Sequence, residues 1–184
     1  MFTGIVQAVG RIVRTAPLEI ECGGLDLTGV AVGDSICVQG VCLTVTAVNG
    51  HTFTADVSEE TLRVTTGLGR PGAVNLEKSL TLADKLGGHL VTGHVDGVGE
   101  VISKKGTAVA IRVPNALSKY VASKGSICVD GVSLTVNRVE GDVFEVNLIP
   151  HTLEATTLKR LAPGVQVNLE VDLIARYVER MLAR

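Results

Sequence analysis

Hydrophobic and polar residues alternate along much of this chain. Val41, Leu43 and Val45 interleave with Cys42, Thr44 and Thr46, and Val132, Leu134 and Val136 interleave with Ser133 and Thr135. A period of two, rich in Val and Thr, predicts half-buried antiparallel strands. Gly50 and Gly141 follow as turn residues, and residues 52–57 and 143–148 read as the return strands. Five or six such strands in each half predict a small closed barrel, because closure removes the exposed strand edges. Helical or turn segments are expected at Thr61-Leu62 and Thr152-Leu153, and from Pro114 to Val121 with the proline in a first turn. After Asp172, a plausible N-cap, Leu173, Ile174, Tyr177, Val178, Met181 and Leu182 fall on one stripe of an amphipathic helix. That stripe must cover either its own barrel or a neighbouring subunit.

The alternation occurs twice because the chain is duplicated. Residues 35–45 (SICVQGVCLTV) return as 126–136 (SICVDGVSLTV), identical at nine of eleven positions with an offset of 126 − 35 = 91. Chance would give about one identity in such a window. The copies differ at Gln39/Asp130 and Cys42/Ser133, which suggests similar sites with different tasks. The repeat extends to Thr3-Gly4 and Thr92-Gly93, to Thr61-Leu62 and Thr152-Leu153, and to Asn75-Leu76-Glu77 and Asn168-Leu169-Glu170. The Gly87-Gly88 pair punctuates the chain just before the second copy, so domains are expected at 1–87 and 88–171, with the tail helix at 172–184.

Composition narrows the function. Hydrophobic residues make up 46% and charged residues 20%, as in ordinary globular chains. A net charge of −2, aromatics at 3% and no Trp argue against a nucleic-acid partner, which calls for basic stripes or stacking aromatics. No apolar run reaches membrane-spanning length, and the N-terminus lacks the basic and apolar regions of a signal peptide. Cys22, Cys37, Cys42 and Cys128 have no C-x-x-C spacing and read as reduced thiols in a cytoplasmic protein. No metal site is expected from these spacings.

If Val41, Leu43 and Val45 fill the barrel, Cys42 and Thr44 point outward, as do Ser133 and Thr135. Such a face suits a planar polar ligand, with Gly40 and Gly131 allowing close approach to the backbone. The plainer alternative is solvent-side hydroxyls and a small packing cysteine. His94 stands where the first copy has Ile5 and brings an ionisable imidazole. His89 reads as a structural linker residue, Glu59-Glu60 as a solvated turn or helix-start pair, and Lys124 as a surface charge.

Several motifs together resemble the riboflavin synthase alpha-chain family. They are Met1-Phe2-Thr3-Gly4-Ile5-Val6, the paired Gly-Val-Cys/Ser-Leu-Thr-Val segments, Gly87-Gly88-His89-Leu90-Val91-Thr92-Gly93-His94-Val95, and Leu148-Ile149-Pro150-His151-Thr152-Leu153. The resemblance implies two tandem six-stranded antiparallel Greek-key barrels with a C-terminal helix: an all-β protein with minor helix. It implies a dismutation in which one 6,7-dimethyl-8-ribityllumazine donates a four-carbon unit to another. The products are riboflavin and 5-amino-6-(D-ribitylamino)uracil. It further implies a homotrimer with active sites between subunits and no cofactor.

By motif, the first site would use Gly4, Ile5 and Val6, then Val41, Cys42, Leu43 and Thr44, and Ala55, Asp56, Val57, Ser58, Glu59, Glu60 and Thr61. The second would use Gly93, His94 and Val95, then Lys124, Ser133, Leu134 and Thr135, and Asn147, Leu148, Ile149, Pro150, His151 and Thr152. Cys42, His94 and Ser133 are the candidates for proton transfer or for addition at C7 of the lumazine, with Asp172 behind them. The competing expectation is a lumazine- or flavin-binding fluorescent protein that binds without turnover; such proteins lose one site, whereas both Leu-Thr-Val motifs are intact here.

Overall fold

The computed structural model describes residues 1–183; the last residue of the expected tail, Arg184, lies outside them. The first half forms six strands: β1 (Ala8–Thr15), β2 (Leu18–Glu21), β3 (Ser35–Val38), β4 (Val41–Asn49), β5 (Thr52–Ala55) and β6 (Gly72–Lys78). They close in the order β1-β2-β5-β4-β3-β6, every recorded pair antiparallel. The second half repeats this with β7 (Gly97–Lys105), β8 (Ala108–Arg112), β9 (Ser126–Val129), β10 (Val132–Glu140), β11 (Val143–Asn147) and β12 (Gln166–Val171). The expected alternation holds in β4 and β10. Val41, Leu43 and Val45, like Val132, Leu134 and Val136, are buried, whereas Thr44 and Thr135 are exposed. Phe53 and Phe144 are fully buried, one at the centre of each barrel.

Short helices fill the gaps: α1 (Glu59–Val64), α2 (Asn115–Ser118) and α3 (Pro150–Ala155). Pro114 precedes α2 rather than entering its first turn. The tail helix α4 (Leu173–Leu182) is capped by Asp172, whose carboxylate accepts the Ile174 N–H at 3.0 Å. Arg176 pairs with Asp96 and Lys119 with Glu179, holding α4 to the second half. Its apolar stripe faces outward: Ile174, Tyr177, Val178, Met181 and Leu182 are exposed, so the chain's own barrel does not cover them. No helix among the described residues is long and apolar enough to cross a membrane.

The barrels meet along a seam that carries the pseudo-symmetry. Phe2 and Val91 form an antiparallel bridge, and with Cys37 and Cys128 they make a small core separate from both barrel interiors. The hairpins β3–β4 and β9–β10 turn through Gln39-Gly40 and Asp130-Gly131, all four residues at positive φ (52°, 86°, 49° and 81°). That conformation suits two-residue hairpin turns and favours glycine at the second position. A Cβ on Gly40 would lie 2.9 Å from the Gly131 nitrogen. These glycines therefore let barrel approach barrel, not ligand approach barrel. The Gln39/Asp130 difference belongs to the same contact: Gln39 Oε1 accepts the Asn75 N–H at 2.9 Å, and Asp130 Oδ1 accepts the Asn168 N–H at 2.8 Å. Asn75 and Asn168 in turn donate across the seam, to the carbonyls of Asp130 and Gln39.

Burial pushes the Asp130 carboxyl up to about 7, against the lowering effect of its bonds from Asn168 and Gln39. A carboxyl raised on folding contributes less as pH climbs from its unfolded value through its folded one. The Asp130→Asn protein should therefore gain stability over wild type between about pH 4 and pH 7, by a few kcal/mol at most, with no further gain above that. Paired thermal melts across this range check it, and a difference independent of pH contradicts it.

Candidate functional site

Each half begins with an entry segment that leaves its own barrel and completes the other. Gly4, at φ 75°, turns its carbonyl to accept the Ser133 N–H at 2.8 Å; Gly93, at φ 78°, accepts the Cys42 N–H at 2.8 Å. A Cβ on Gly4 would sit 2.6 Å from the Ser133 nitrogen, and one on Gly93 2.7 Å from the Cys42 nitrogen, so the left-handed, side-chain-free position is obligatory twice over. Val6 packs against the second barrel's core and Val95 against the first.

The structure thus groups the expected residues crosswise. Gly4, Ile5 and Val6 stand with Ser133, Leu134 and Thr135, while Gly93, His94 and Val95 stand with Cys42, Leu43 and Thr44. Grouping by sequence half placed Gly4 with Cys42 and Gly93 with Ser133. The repeat itself could not reveal the exchange, since each segment is equally adjacent in sequence to its own half.

The remaining expected residues fall beside these groups in their own barrels. Val41, Leu43, Ala55, Leu134 and Leu148 have buried side chains and offer only backbone to a ligand. Asp56, Ser58, Glu59 and Glu60 are exposed, with Val57 and Thr61 half-buried, at the end of β5 and the start of α1. Ser58 caps α1 by accepting the Thr61 N–H at 3.0 Å, and Glu60 is tied to Arg63 at 2.6 Å. Asn147 Oδ1 accepts the Thr107 hydroxyl at 2.7 Å. Ile149, Pro150 and His151 are exposed at the equivalent start of α3, with Thr152 half-buried. Lys124 is exposed, at φ 68°. Ile5 and His94 occupy equivalent clefts of about 260 and 300 Å³. A further cavity of about 350 Å³, lined by Gln39, Thr66, Asp130 and Thr157 at the seam, touches none of the expected site residues.

Two elements escaped sequence reasoning. His89 is buried against the site: its Nδ1 lies 2.7 Å from Ser133 Oγ, its backbone N–H donates to the Thr3 carbonyl, and Nε2 has no partner among the described residues. Burial lowers its pKa, opposed by the Asp172 carboxylate, so the ring stays neutral to a lower pH than an ordinary histidine. Gly88 beside it, where a Cβ would strike the Thr3 carbonyl and Ser133, allows this close packing. No side-chain hydrogen bond joins Cys42 to a histidine among the described residues, so the two sites differ in more than the Cys/Ser exchange.

The second element is a pair of buried carboxylates. Glu77 holds Thr3 and Gly4, and Glu170 holds Thr92 and Gly93, through matching hydrogen bonds. Burial raises both pKa values while the bonds oppose the rise. The repeated Asn-Leu-Glu and Thr-Gly pairs were the available signal. No cluster of three or more His, Cys, Asp or Glu side chains suited to a metal ion occurs among the described residues.

Comparison with known proteins agrees with this geometry. The model of the lumazine binding domain family matches twice, at residues 3–79 and 92–172, once per barrel. Riboflavin synthase of Photobacterium phosphoreum is 45% identical over 194 residues, covering 99% of this chain and 89% of that protein. Riboflavin synthase of Mycobacterium bovis (strain ATCC BAA-935 / AF2122/97) is 48% identical over 199 residues, covering 99% and 98%. Among solved structures, LumP complexed with riboflavin superposes with a TM-score of 0.81 at 28% identity, covering 93% of this chain and 99% of that one. LumP complexed with 6,7-dimethyl-8-(1'-D-ribityl) lumazine gives a TM-score of 0.79 at the same identity and coverage. Two lumazine-binding barrels in one chain, aligned end to end with synthases at this identity, establish that the chain belongs to the riboflavin synthase family.

Proposed function

We propose that this chain catalyses the dismutation of two 6,7-dimethyl-8-ribityllumazine molecules to riboflavin and 5-amino-6-(D-ribitylamino)uracil. A four-carbon unit passes from one lumazine to the other; the two substrates together hold all the atoms of the two products, so no external oxidant or cofactor is required. The observation that carries this reading is the reciprocal bonding of Gly4 to Ser133 and Gly93 to Cys42, which supports two equivalent sites, suited to two copies of one reactant, with different reactive groups at each.

The substrate supplies much of the reactivity, because the carbanion at its C7 methyl delocalises into the electron-poor ring. The protein's part is to hold two flat molecules face to face and replace a bimolecular encounter with a local one. Backbone groups of Leu43, Leu134, Asn147 and Leu148 bind the pyrimidine edge, while exposed Thr, Lys and Glu side chains hold ring and ribityl oxygens. At the Ser133 site a neutral His89 accepts the hydroxyl proton through Nδ1, which lets Ser133, or a water it orients, add at C7. At the Cys42 site the thiol and His94 face the partner molecule, and His94 moves a proton. The linker supplies His89 to one site alone, which supports distinct roles for the two lumazines.

The residue ranges 1–87 and 88–171 then act as two lumazine-binding units, and 172–184 as the oligomerisation helix. The uncovered stripe on α4 supports association with other subunits, and the family resemblance makes the assembly a homotrimer in which the lumazine on one subunit's barrel meets that on a neighbour's. Four free thiols, three of them buried, support a reducing, cytoplasmic setting.

Incubation of the protein with the lumazine alone should produce riboflavin absorbance; tight binding without turnover would instead make this a binding protein and not an enzyme. Ser133→Ala, His89→Gln and His94→Ala should each lower turnover by about tenfold to a thousandfold while leaving lumazine affinity nearly unchanged. Losses confined to affinity would assign these residues to binding. The rate for wild type should fall on the acid side as His89 is protonated, with a midpoint below the ordinary histidine value near 6.5, and His89→Gln should abolish that limb. Placing a charge in the stripe, as in Tyr177→Asp with Met181→Asp, should yield monomers in sedimentation and cost most of the activity; an unchanged assembly would remove α4 from the interface.

A further inference from the structure

We propose that Glu77 and Glu170 are positioning residues that act across the seam, each aiming its own half's entry segment so that the glycine carbonyl completes the site on the opposite barrel. The inference rests on the proposed function and adds to it the residues that fix the two sites.

Each carboxylate is 4% exposed, and neither joins an ion pair among the described residues. A buried charge is costly unless its oxygens are satisfied, and here the partners lie in one short entry segment. Glu77 Oε1 accepts the Thr3 N–H and hydroxyl, both at 2.7 Å, and Oε2 accepts the Gly4 N–H at 3.0 Å. Thr3 Oγ1 then accepts the Ile5 N–H at 3.2 Å. Glu170 does the same with the Thr92 N–H at 2.6 Å, the Thr92 hydroxyl at 2.8 Å and the Gly93 N–H at 2.9 Å, and Thr92 Oγ1 accepts the His94 N–H at 3.2 Å.

Three successive amides thus gather around one carboxylate and one hydroxyl, an arrangement that leaves the glycine carbonyl free to point away. It points across the seam in both cases, to Ser133 and to Cys42. The following residue, Ile5 or His94, is set into its cleft by the same bonds, and Val6 or Val95 then packs on the opposite core. Glu77 stands on the first barrel and serves the Ser133 site on the second; Glu170 on the second barrel serves the Cys42 site on the first. Each site therefore depends on a charge in the other half.

Glutamine distinguishes positioning from mere size. It fills the same space but presents one acceptor and one NH2 group, so a donor faces either the threonine or the glycine N–H. Hydrogen exchange on the ligand-free protein should show faster exchange of the Thr3, Gly4 and Ser133 amides in Glu77→Gln, and of the Thr92, Gly93 and Cys42 amides in Glu170→Gln. Lumazine titration should then show one of the two sites weakened by about tenfold to a hundredfold in each variant, the other unchanged. In double-mutant cycles on turnover, Glu77→Gln should be non-additive with Ser133→Ala and additive with Cys42→Ser, and Glu170→Gln the reverse. Equal weakening of both sites, or coupling of each glutamate to its own barrel's site, overturns the proposal, as does exchange unaltered by either variant. A wild-type protein that neither binds nor converts the lumazine defeats the functional reading instead, and the exchange pattern still decides whether the carboxylates act across the seam.

Discussion

The structure turns on two backbone hydrogen bonds, Gly4 carbonyl to Ser133 and Gly93 carbonyl to Cys42. Each joins the entry segment of one half to strand β10 or β4 of the other, and each requires a glycine in the left-handed region with no room for a Cβ. The rest of the seam follows from them. Phe2 and Val91 bridge because the entry segments run antiparallel, Gly40 and Gly131 allow the hairpins to touch, and Asn75 and Asn168 pair with backbone across the gap. Neither half on its own holds both a glycine carbonyl and the strand amide it meets. The two candidate sites are therefore joined through reciprocal backbone bonds.

On the proposed function, the same construction would let identical reactants be treated differently. The repeat supplies equivalent strands, and substitution at Cys42/Ser133 and Ile5/His94 gives them different groups. The linker adds a difference that the repeat does not contain, since His89 reaches Ser133 from the segment joining the halves. The divergence at Gln39 and Asp130, by contrast, serves the seam: both residues occupy the same turn position and accept equivalent amides. Of the two differences in the best-matching window, Gln39/Asp130 lies in the seam and Cys42/Ser133 lies at the candidate sites.

The barrels were legible in the sequence because period-two alternation, turn glycines and the repeat all point to one architecture. Asp172 as a cap and the stripe on α4 were legible for a similar reason, as local patterns with local causes. What sequence could not supply was the path of the entry segments. Ile5 and Val6 are near Val41 in the repeat unit, yet the hydrogen bonds that place them span to residue 133, and no periodicity encodes that exchange. His89 read as a linker residue because its partner is 44 residues away. Glu77 and Glu170 sat in plain view within a repeated Asn-Leu-Glu, but a buried, unpaired carboxylate is the exception for that residue type, and burial of β6 and β12 on both faces is a tertiary fact.

The most direct test of the crosswise construction is a crystal structure of the protein with an unreactive lumazine analogue bound to both barrels. The account predicts that one analogue contacts Gly4-Ile5 together with Ser133-Leu134-Thr135, and the other Gly93-His94 together with Cys42-Leu43-Thr44. An analogue held by Gly4-Ile5 and Cys42, within a single half, would contradict it.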